Sequence, residues 1–316
     1  MNVCREFKLI KQKFARPYTF SSITWKVRES IVLREKSQTG NFVYGEIAPV
    51  PGFPNQSGLN IVQEECKKWV NYQSLPLQNS LLPALSCMKA DFWITSQEKR
   101  GQEIQKSILS IFNSSENNFF SFKKKIGLFP ISEEITEIKK WLSGLPVSCL
   151  VRLDANGSLS IDDLRIWLEE FQDENRIQYI EQPLADKFRE ELFLIAEKSP
   201  IPLAIDESVI AMEGPYQAKN AGWKGFYVIK PTLLTDWSDS INFAKENKEK
   251  TVFSTSFESP FGYEALVRAC IHSNLDAGIT REPFKNLSTE LTCHHSHTLS
   301  SPAATQFELD ELWKKI

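Results

Sequence analysis

Between residues 154 and 230 four short apolar runs each end in a charged residue: Leu153-Asp154, Ile180-Glu181, Ile205-Asp206 and Ile229-Lys230. The intervals between the charges are 27, 25 and 24 residues, each about the length of one strand, one returning helix and their loops in a parallel sheet. Residues spaced this way emerge at the ends of neighbouring strands, on one rim. Three carboxylates there repel one another unless positive charge sits between them, and an all-oxygen set suits a hard divalent cation such as Mg²⁺. Separate structural ion pairs are the alternative, with Arg152 close to the first acid, but they do not account for three acids in equivalent places.

The same alternation extends on both sides, from about residue 105 to 280. Ser107–Ile111 reads as a strand, Asn113–Asn118 as a polar loop, and Phe119–Gly127 as a second strand. In an extended chain Lys123 and Lys125 share one face, with Phe120, Phe122, Lys124 and Ile126 on the other. Ser132 is the expected cap of the next helix, with Glu133 and Glu134 in its first turn. Val147–Leu153 is the expected buried strand leading to Asp154. Ser160 and Asp163 have the spacing of a capping box before the stripe Leu164, Trp167, Leu168 and Phe171. Thr251-Val252-Phe253 ends in Ser254-Thr255. Seven or eight such units close most naturally into a parallel barrel, whose sites lie at the C-terminal strand ends. A doubly wound open sheet is the rival, but no GxGxxG or Walker-type glycine loop follows any predicted strand.

The first hundred residues have a different texture. Residues 1 to about 50 read as strands, with Val27, Ile31 and Leu33 forming a hairpin with Phe42, Val43 and Tyr44 around a polar, glycine-containing turn at 36–41. The proline-rich stretch 45–54 reads as a loop of one shape, and 58–98 as helices. A small α+β domain over 1–100, completed by 285–316, would precede a barrel over 101–284. Phe307, Leu309, Leu312 and Trp313 are expected to pack back on that first domain.

Composition removes several classes of function. A net charge of −3 with scattered basic residues gives no general affinity for nucleic acid. No apolar run is long enough to cross a bilayer and Met1–Glu6 lacks a signal-peptide core, so no membrane insertion and a cytoplasmic location are expected. Six cysteines without a CxxC pair read for the most part as buried thiols in a reducing compartment. Cys293-His294-His295-Ser296-His297 has no partner cluster and reads as a polar surface loop rather than a zinc site.

Lys123 and Lys125 precede the acid-bearing strands and Lys230 follows them, which puts ammonium groups on both sides of the carboxylates. A lysine acts as a base only when its pKa is lowered, and neighbouring cations and partial desolvation are expected to lower it. Such a rim suits proton removal beside a substrate carboxylate.

The segments Gly45-Glu46-Ile47-Ala48-Pro49, Phe122-Lys123-Lys124-Lys125-Ile126-Gly127, Arg152-Leu153-Asp154-Ala155-Asn156, Glu181-Gln182-Pro183-Leu184 and Ser254-Thr255-Ser256-Phe257-Glu258-Ser259 resemble the enolase superfamily. Within it they resemble the muconate-lactonizing-type group. The use of a Lys or His base with Mg²⁺ and an ene-diolate is general chemistry of that superfamily, not a reading of this chain. The resemblance implies an α/β fold, a (β/α)7β TIM-like barrel with an α+β capping domain. It implies Mg²⁺, with Mn²⁺ as a substitute, held by Asp154, Glu181 and Asp206. Lys125 would take the proton α to a carboxylate and return it to a departing hydroxide, with Lys230 facing the opposite side and Lys123 supporting Lys125. Arg152, Asn156, Ser254, Ser256 and Gly278 would contact a small carboxylate substrate.

Among members of the group these segments look most like those of a dehydratase. Dipeptide epimerisation, N-acylamino acid racemisation and muconate cycloisomerisation are alternatives, and a non-catalytic ligand-binding barrel is an alternative of another class. Dipeptide epimerases of this kind carry Asp-x-Asp near the eighth strand, where this chain has Asp276-Ala277-Gly278. Two departures stand out. Lys124 occupies a position commonly apolar or aromatic in relatives, so it must snorkel or find an acid. After Asp276–Thr280 the resemblance fades, which leaves the eighth strand weakly defined.

Overall fold

The computed structural model describes residues 4–20, 23–50, 53, 57–95, 102–109, 121–281, 284 and 298–316. Pro51, Gly52, Pro54, Ser110, Ile111, the 113–118 loop, Phe119, Phe120 and the 293–297 cluster lie outside the described residues.

Alternating apolar residues at the N-terminus build an antiparallel sheet of β1 (Arg5–Phe20), β2 (Ile23–Lys36) and β3 (Phe42–Ile47), in that order. The predicted turn between β2 and β3 is present. Gly40 donates to the Ser37 carbonyl at 3.0 Å with φ +91°, a conformation glycine adopts without steric cost. Helices α1 (Leu59–Val70), α2 (Leu82–Met88) and α3 (Phe92–Thr95) follow. A Cβ on Gly45 would fall 2.1 Å from the Ala84 carbonyl oxygen, so α2 crosses β3 at a distance only glycine permits.

The chain then alternates. It forms β4 (Gln102–Gln105), β5 (Ile108–Leu109), β6 (Ser121–Lys125), α4 (Ile131–Ser143), β7 (Leu150–Asp154), α5 (Ile161–Glu170) and β8 (Ile177–Glu181). There follow α6 (Arg189–Ala196), β9 (Leu203–Ile205), α7 (Glu207–Ala211), α8 (Pro215–Asn220), β10 (Phe226–Ile229), α9 (Trp237–Glu246), β11 (Thr251–Phe253) and α10 (Pro260–Cys270). Strands β5 to β11 form one sheet in sequence order, parallel throughout.

Segment 276–279 closes it. Ala277 donates to the Gln105 carbonyl at 2.8 Å and its own carbonyl accepts from Ser107 at 2.9 Å. Gly278 donates to the Phe253 carbonyl at 2.8 Å, and its carbonyl accepts from Thr255 at 3.1 Å. The eighth position of the barrel is therefore two residues of ladder rather than a full strand, too short to show as a periodic apolar run. Inside the ring Tyr179, Ala204, Val228 and Val252 form a small apolar layer of their own.

The last strand, β12 (Thr298–Ser301), pairs antiparallel with β4, a pairing of polar segments that periodicity does not reveal. It leads to α11 (Gln306–Lys315), started by a capping box between Thr305 and Glu308. Leu309 and Trp313 are buried, and Trp313 donates to Glu6 of β1 at 3.0 Å. Phe307, expected inside, is 71% exposed: it falls on the opposite side of the helix from the Leu309–Trp313 stripe. No helix among the described residues is long and apolar enough to cross a membrane.

Other local expectations divide similarly. The Ser160–Asp163 capping box is formed, with Ser160 Oγ accepting from Asp163 N at 3.1 Å. Ser132 does not cap α4, because Pro130 stands at that position and its fixed φ already suits a helix start. Glu134 instead turns back, accepting from the backbone N–H of Gly127 at 2.6 Å and of Leu128 at 3.0 Å. Val147 is 90% exposed, since β7 begins only after a turn closed by Cys149 N–H on the Pro146 carbonyl. Lys124 finds its acid in Glu137, at 2.8 Å, and its ammonium also lies 5.1 Å from the Trp141 ring centroid.

Two tests follow from this packing. Gly45→Ala forces α2 away from β3 and is expected to cost about 1–3 kcal/mol, read as a lower midpoint in urea unfolding. Burial pushes the His272 imidazole down to about 4, with Lys245 and Lys248 adding to the effect. The folded protein thus keeps it neutral while the unfolded chain binds a proton below about pH 6.5. Stability is therefore lost as pH falls from 6.5 towards 4, and His272→Asn should flatten the decline of Tm over that window.

Candidate active site

The strand ladders bring the predicted charges together. Lys125 of β6 stands opposite Asp154 of β7, and Asp154 opposite Glu181 of β8. Asp206 follows β9 and Lys230 follows β10. In a ring closed by 276–279, β6 and β10 are four places apart, so Lys125 and Lys230 face each other across the rim with the acids between them.

One ammonium is shared by two acids: Lys123 Nζ lies 2.9 Å from Asp154 Oδ2 and 2.7 Å from Glu181 Oε1. Lys230 pairs with Asp206 Oδ2. Lys125 lies 3.7 Å from Asp154 and donates to Asn156 Oδ1. Its side chain is 34% exposed, against 13% for Lys230, which places Lys125 nearer solvent.

Burial raises the Asp154 carboxyl, but Lys123 and Lys125 reverse this and hold it down at about 2. Glu181 has only a share of Lys123, so burial, reinforced by Asp154 and Asp206, pushes it up to about 7. Burial likewise pushes Glu207 up to about 8, with Asp206 adding. The expectation that the lysines are lowered is corrected for two of them. Burial lowers Lys123 and Lys230, yet the surrounding carboxylates more than reverse it and leave both raised.

Among the described residues no three acid, His or Cys side chains converge as ready-made ligands, because the Lys123 and Lys230 ammonium groups lie against the carboxylates. The donor set nevertheless fits a hard cation: three buried carboxylates on consecutive strand ends. Asp206 Oδ1 supports the fit, being buried without a hydrogen-bond partner.

Above this layer is a cavity of about 150 Å³. Tyr18, Trp25, Val50 and Phe53 form its apolar side, and Ser254–Phe257 with Gly278–Thr280 form the opposite wall. Asn156, Ser254, Ser256 and Gly278 line it. A Cβ on Gly278 would come within 3.2 Å of Ser254 Oγ. The Ser256 hydroxyl is already engaged, donating to Glu258 Oε1 at 2.6 Å. Arg152 does not reach the cavity. It is 1% exposed inside the ring below the acids, donating to Gln178 Oε1 and the Asp276 carbonyl, both at 2.7 Å, with Tyr179 beneath it.

Sequence reasoning missed Glu207, whose Oε1 accepts from Asn156 Nδ2 at 3.2 Å. Its place beside Asp206 at a strand end was the available signal. The apolar wall had none, because Tyr18 and Trp25 lie more than a hundred residues from every rim acid.

Residues 113–232 match the family model described as enolase C-terminal domain-like. The chain is 26% identical over 281 residues to the o-succinylbenzoate synthase of Thermosynechococcus vestitus, covering 83% of this chain and 86% of that one. With the o-succinylbenzoate synthase of Haemophilus influenzae it shares 25% over 266 residues, covering 77% and 78%. The structure of the o-succinylbenzoate synthase from Thermosynechococcus elongatus BP-1, with Mg in its active site, superposes with a TM-score of 0.77 at 22% identity, covering 99% of each chain. The L-Ala-D/L-Glu epimerase from Bacillus subtilis superposes with a TM-score of 0.74 at 15% identity, covering 95% and 96%. The structural likeness shows an enolase-type α/β fold, a barrel with a capping domain, and the family-model match spans residues 113–232. In sequence the chain is similar to the o-succinylbenzoate synthases.

Removing one partner of a buried ion pair leaves the other charge uncompensated. Lys230→Met is therefore expected to cost about 3–5 kcal/mol in urea unfolding with chelator present, where no added cation can replace the ammonium.

Proposed function

We propose that this chain is an o-succinylbenzoate synthase, a lyase that dehydrates 2-succinyl-6-hydroxy-2,4-cyclohexadiene-1-carboxylate to o-succinylbenzoate on the route to menaquinone or phylloquinone. The observation that carries the reading is the opposition of Lys125 and Lys230 across three buried carboxylates, on a cavity with one apolar wall and one hydroxyl-bearing wall. Residues 1–100 and 285–316 would act as the cap and 101–284 as the catalytic barrel.

Asp154, Glu181 and Asp206 would hold Mg²⁺, which when bound neutralises the substrate carboxylate and the charge that develops on it. Lys125, the more exposed lysine, takes the proton from the carbon bearing the ring carboxylate. The ring C–O bond then breaks, and Lys125 returns that proton to the departing hydroxide, so water leaves and the ring becomes aromatic. Proton and hydroxide leave from one face, which a single base serves. Lys230, as a permanent ammonium beside Asp206, stabilises negative charge on the opposite face. Lys123 holds Asp154 and Glu181 in register beneath Lys125. Asn156 fixes the Lys125 ammonium by accepting its hydrogen bond, a role added to the expected substrate contact.

Dehydration is favoured over dipeptide epimerisation by the closing segment. Asp276 does not line the cavity; its carboxylate accepts from Ser121 Oγ at 2.5 Å and its carbonyl from Arg152. Gly278 presents no side chain, so this segment offers no acid to a peptide ammonium.

The deciding assay supplies the cyclohexadiene carboxylate and Mg²⁺ and follows o-succinylbenzoate. Turnover of L-Ala-D/L-Glu without that product would sink the proposal. Lys125→Ala should lose about 10²–10⁴-fold in kcat while still folding and binding Mg²⁺. Saturating Mg²⁺ at about 100 times its Kd should add about 2.7 kcal/mol of stability, read as a rise in Tm that Asp206→Ala abolishes.

A further inference from the structure

Arg28 of β2 lies outside the proton-transfer machinery and is 3% exposed. Its guanidinium spans two segments. On the stretch after β3 it donates to the Ala48 carbonyl and, at 2.5 Å, to the Pro49 carbonyl. On the turn after β11 it donates to the Ser256 carbonyl at 3.2 Å and the Phe257 carbonyl at 3.3 Å. A fifth contact, at 3.4 Å, goes to the Glu29 carbonyl.

Both segments build the cavity. Val50 follows directly from Ala48-Pro49, while Ser256 and Phe257 stand in the opposite wall. Phe257 holds φ +64°, a left-handed conformation rare for a bulky residue, and its ring packs edge-on to Tyr18 at 4.6 Å.

Two buried acids frame the same junction. Glu46 accepts from Ser259 N–H and Oγ at 2.9 and 2.6 Å and from Gly262 N–H at 3.1 Å. Glu258 accepts from Thr255 Oγ1 at 2.6 Å, Ser256 N–H at 3.0 Å and Thr232 Oγ1 at 2.9 Å. Each acid organises backbone on the barrel loops, whereas among the described residues Arg28 is the side chain that bonds carbonyls of both cavity walls. A lysine has a single donor atom and cannot reach four carbonyls at this spread, but a planar guanidinium can.

We propose that Arg28 is a positioning residue that brackets the capping-side wall to the 255–257 turn and thereby sets how tightly substrate is held. The inference rests on reading this cavity as the substrate site. Arg28 touches neither Lys125 nor Lys230, so its loss acts on binding rather than on proton transfer.

The test compares Arg28→Lys and Arg28→Gln with the wild type, each loaded with Mg²⁺, by steady-state kinetics on the cyclohexadiene carboxylate and by amide hydrogen exchange. The expected result is KM raised at least tenfold with kcat within threefold. Exchange should be at least tenfold faster in peptides covering 44–50 and 254–259, and unchanged in α5 and α9. Adding millimolar guanidinium to Arg28→Ala, if that variant folds, should restore KM towards the wild-type value. An unchanged KM, a kcat that falls while KM holds, or exchange that is unaltered or accelerated throughout the barrel would each overturn the proposal. If the wild type fails to turn over the substrate, the proposed reaction is wrong. Exchange then judges the bracket alone: acceleration confined to the two segments supports it, and its absence overturns it.

Discussion

The structure depends on how three buried carboxylates coexist on one rim. Asp154, Glu181 and Asp206 are each nearly inaccessible, and at that burial a bare carboxylate is strongly disfavoured. The fold answers with ammonium groups from the flanking strands, Lys123 shared between the first two acids and Lys230 on the third. The division is uneven, and the unevenness is visible in Asp154 held low while Glu181 is pushed up. A rim with that residual imbalance suits a divalent cation, and Lys125 is the more exposed of the two opposed lysines.

Placing those charges requires a closed ring, and closure is achieved with little material. The 276–279 segment ties β5 to β11 through a few backbone bonds, and Arg152 reinforces it from inside through the Asp276 carbonyl. The expected substrate contact of Arg152 gives way to this structural part because its strand position is one layer too deep: Asp154 occupies the rim and Arg152 the layer below. The N-terminal sheet then roofs the rim through Arg28 and Glu46, whose partners lie on the barrel loops. Cap and barrel thus share one set of buried charges.

The candidate site was legible in the residues wherever strand parity governed it. Lys123 and Lys125 share a face and Lys124 does not, and the observed partners follow that alternation: rim acids for the first two, Glu137 and Trp141 for the third. Parity could not give the depth of Arg152, the direction of the lysine shifts, or the face of α11 on which Phe307 lies. Each depends on which groups arrive from other elements.

The linear chain by itself determined the order of strands, the spacing that puts three acids and a lysine on neighbouring strand ends, and the pairing of lysines on β6, because periodicity and spacing are properties of local backbone geometry. Only the tertiary structure decided that Arg152 lies below the acids, that Glu207 meets the cavity, and that Tyr18, Trp25 and Phe257 enclose it. Those contacts join segments up to about 240 residues apart, and they exist only once the sheet has curled shut and the cap has been drawn onto it.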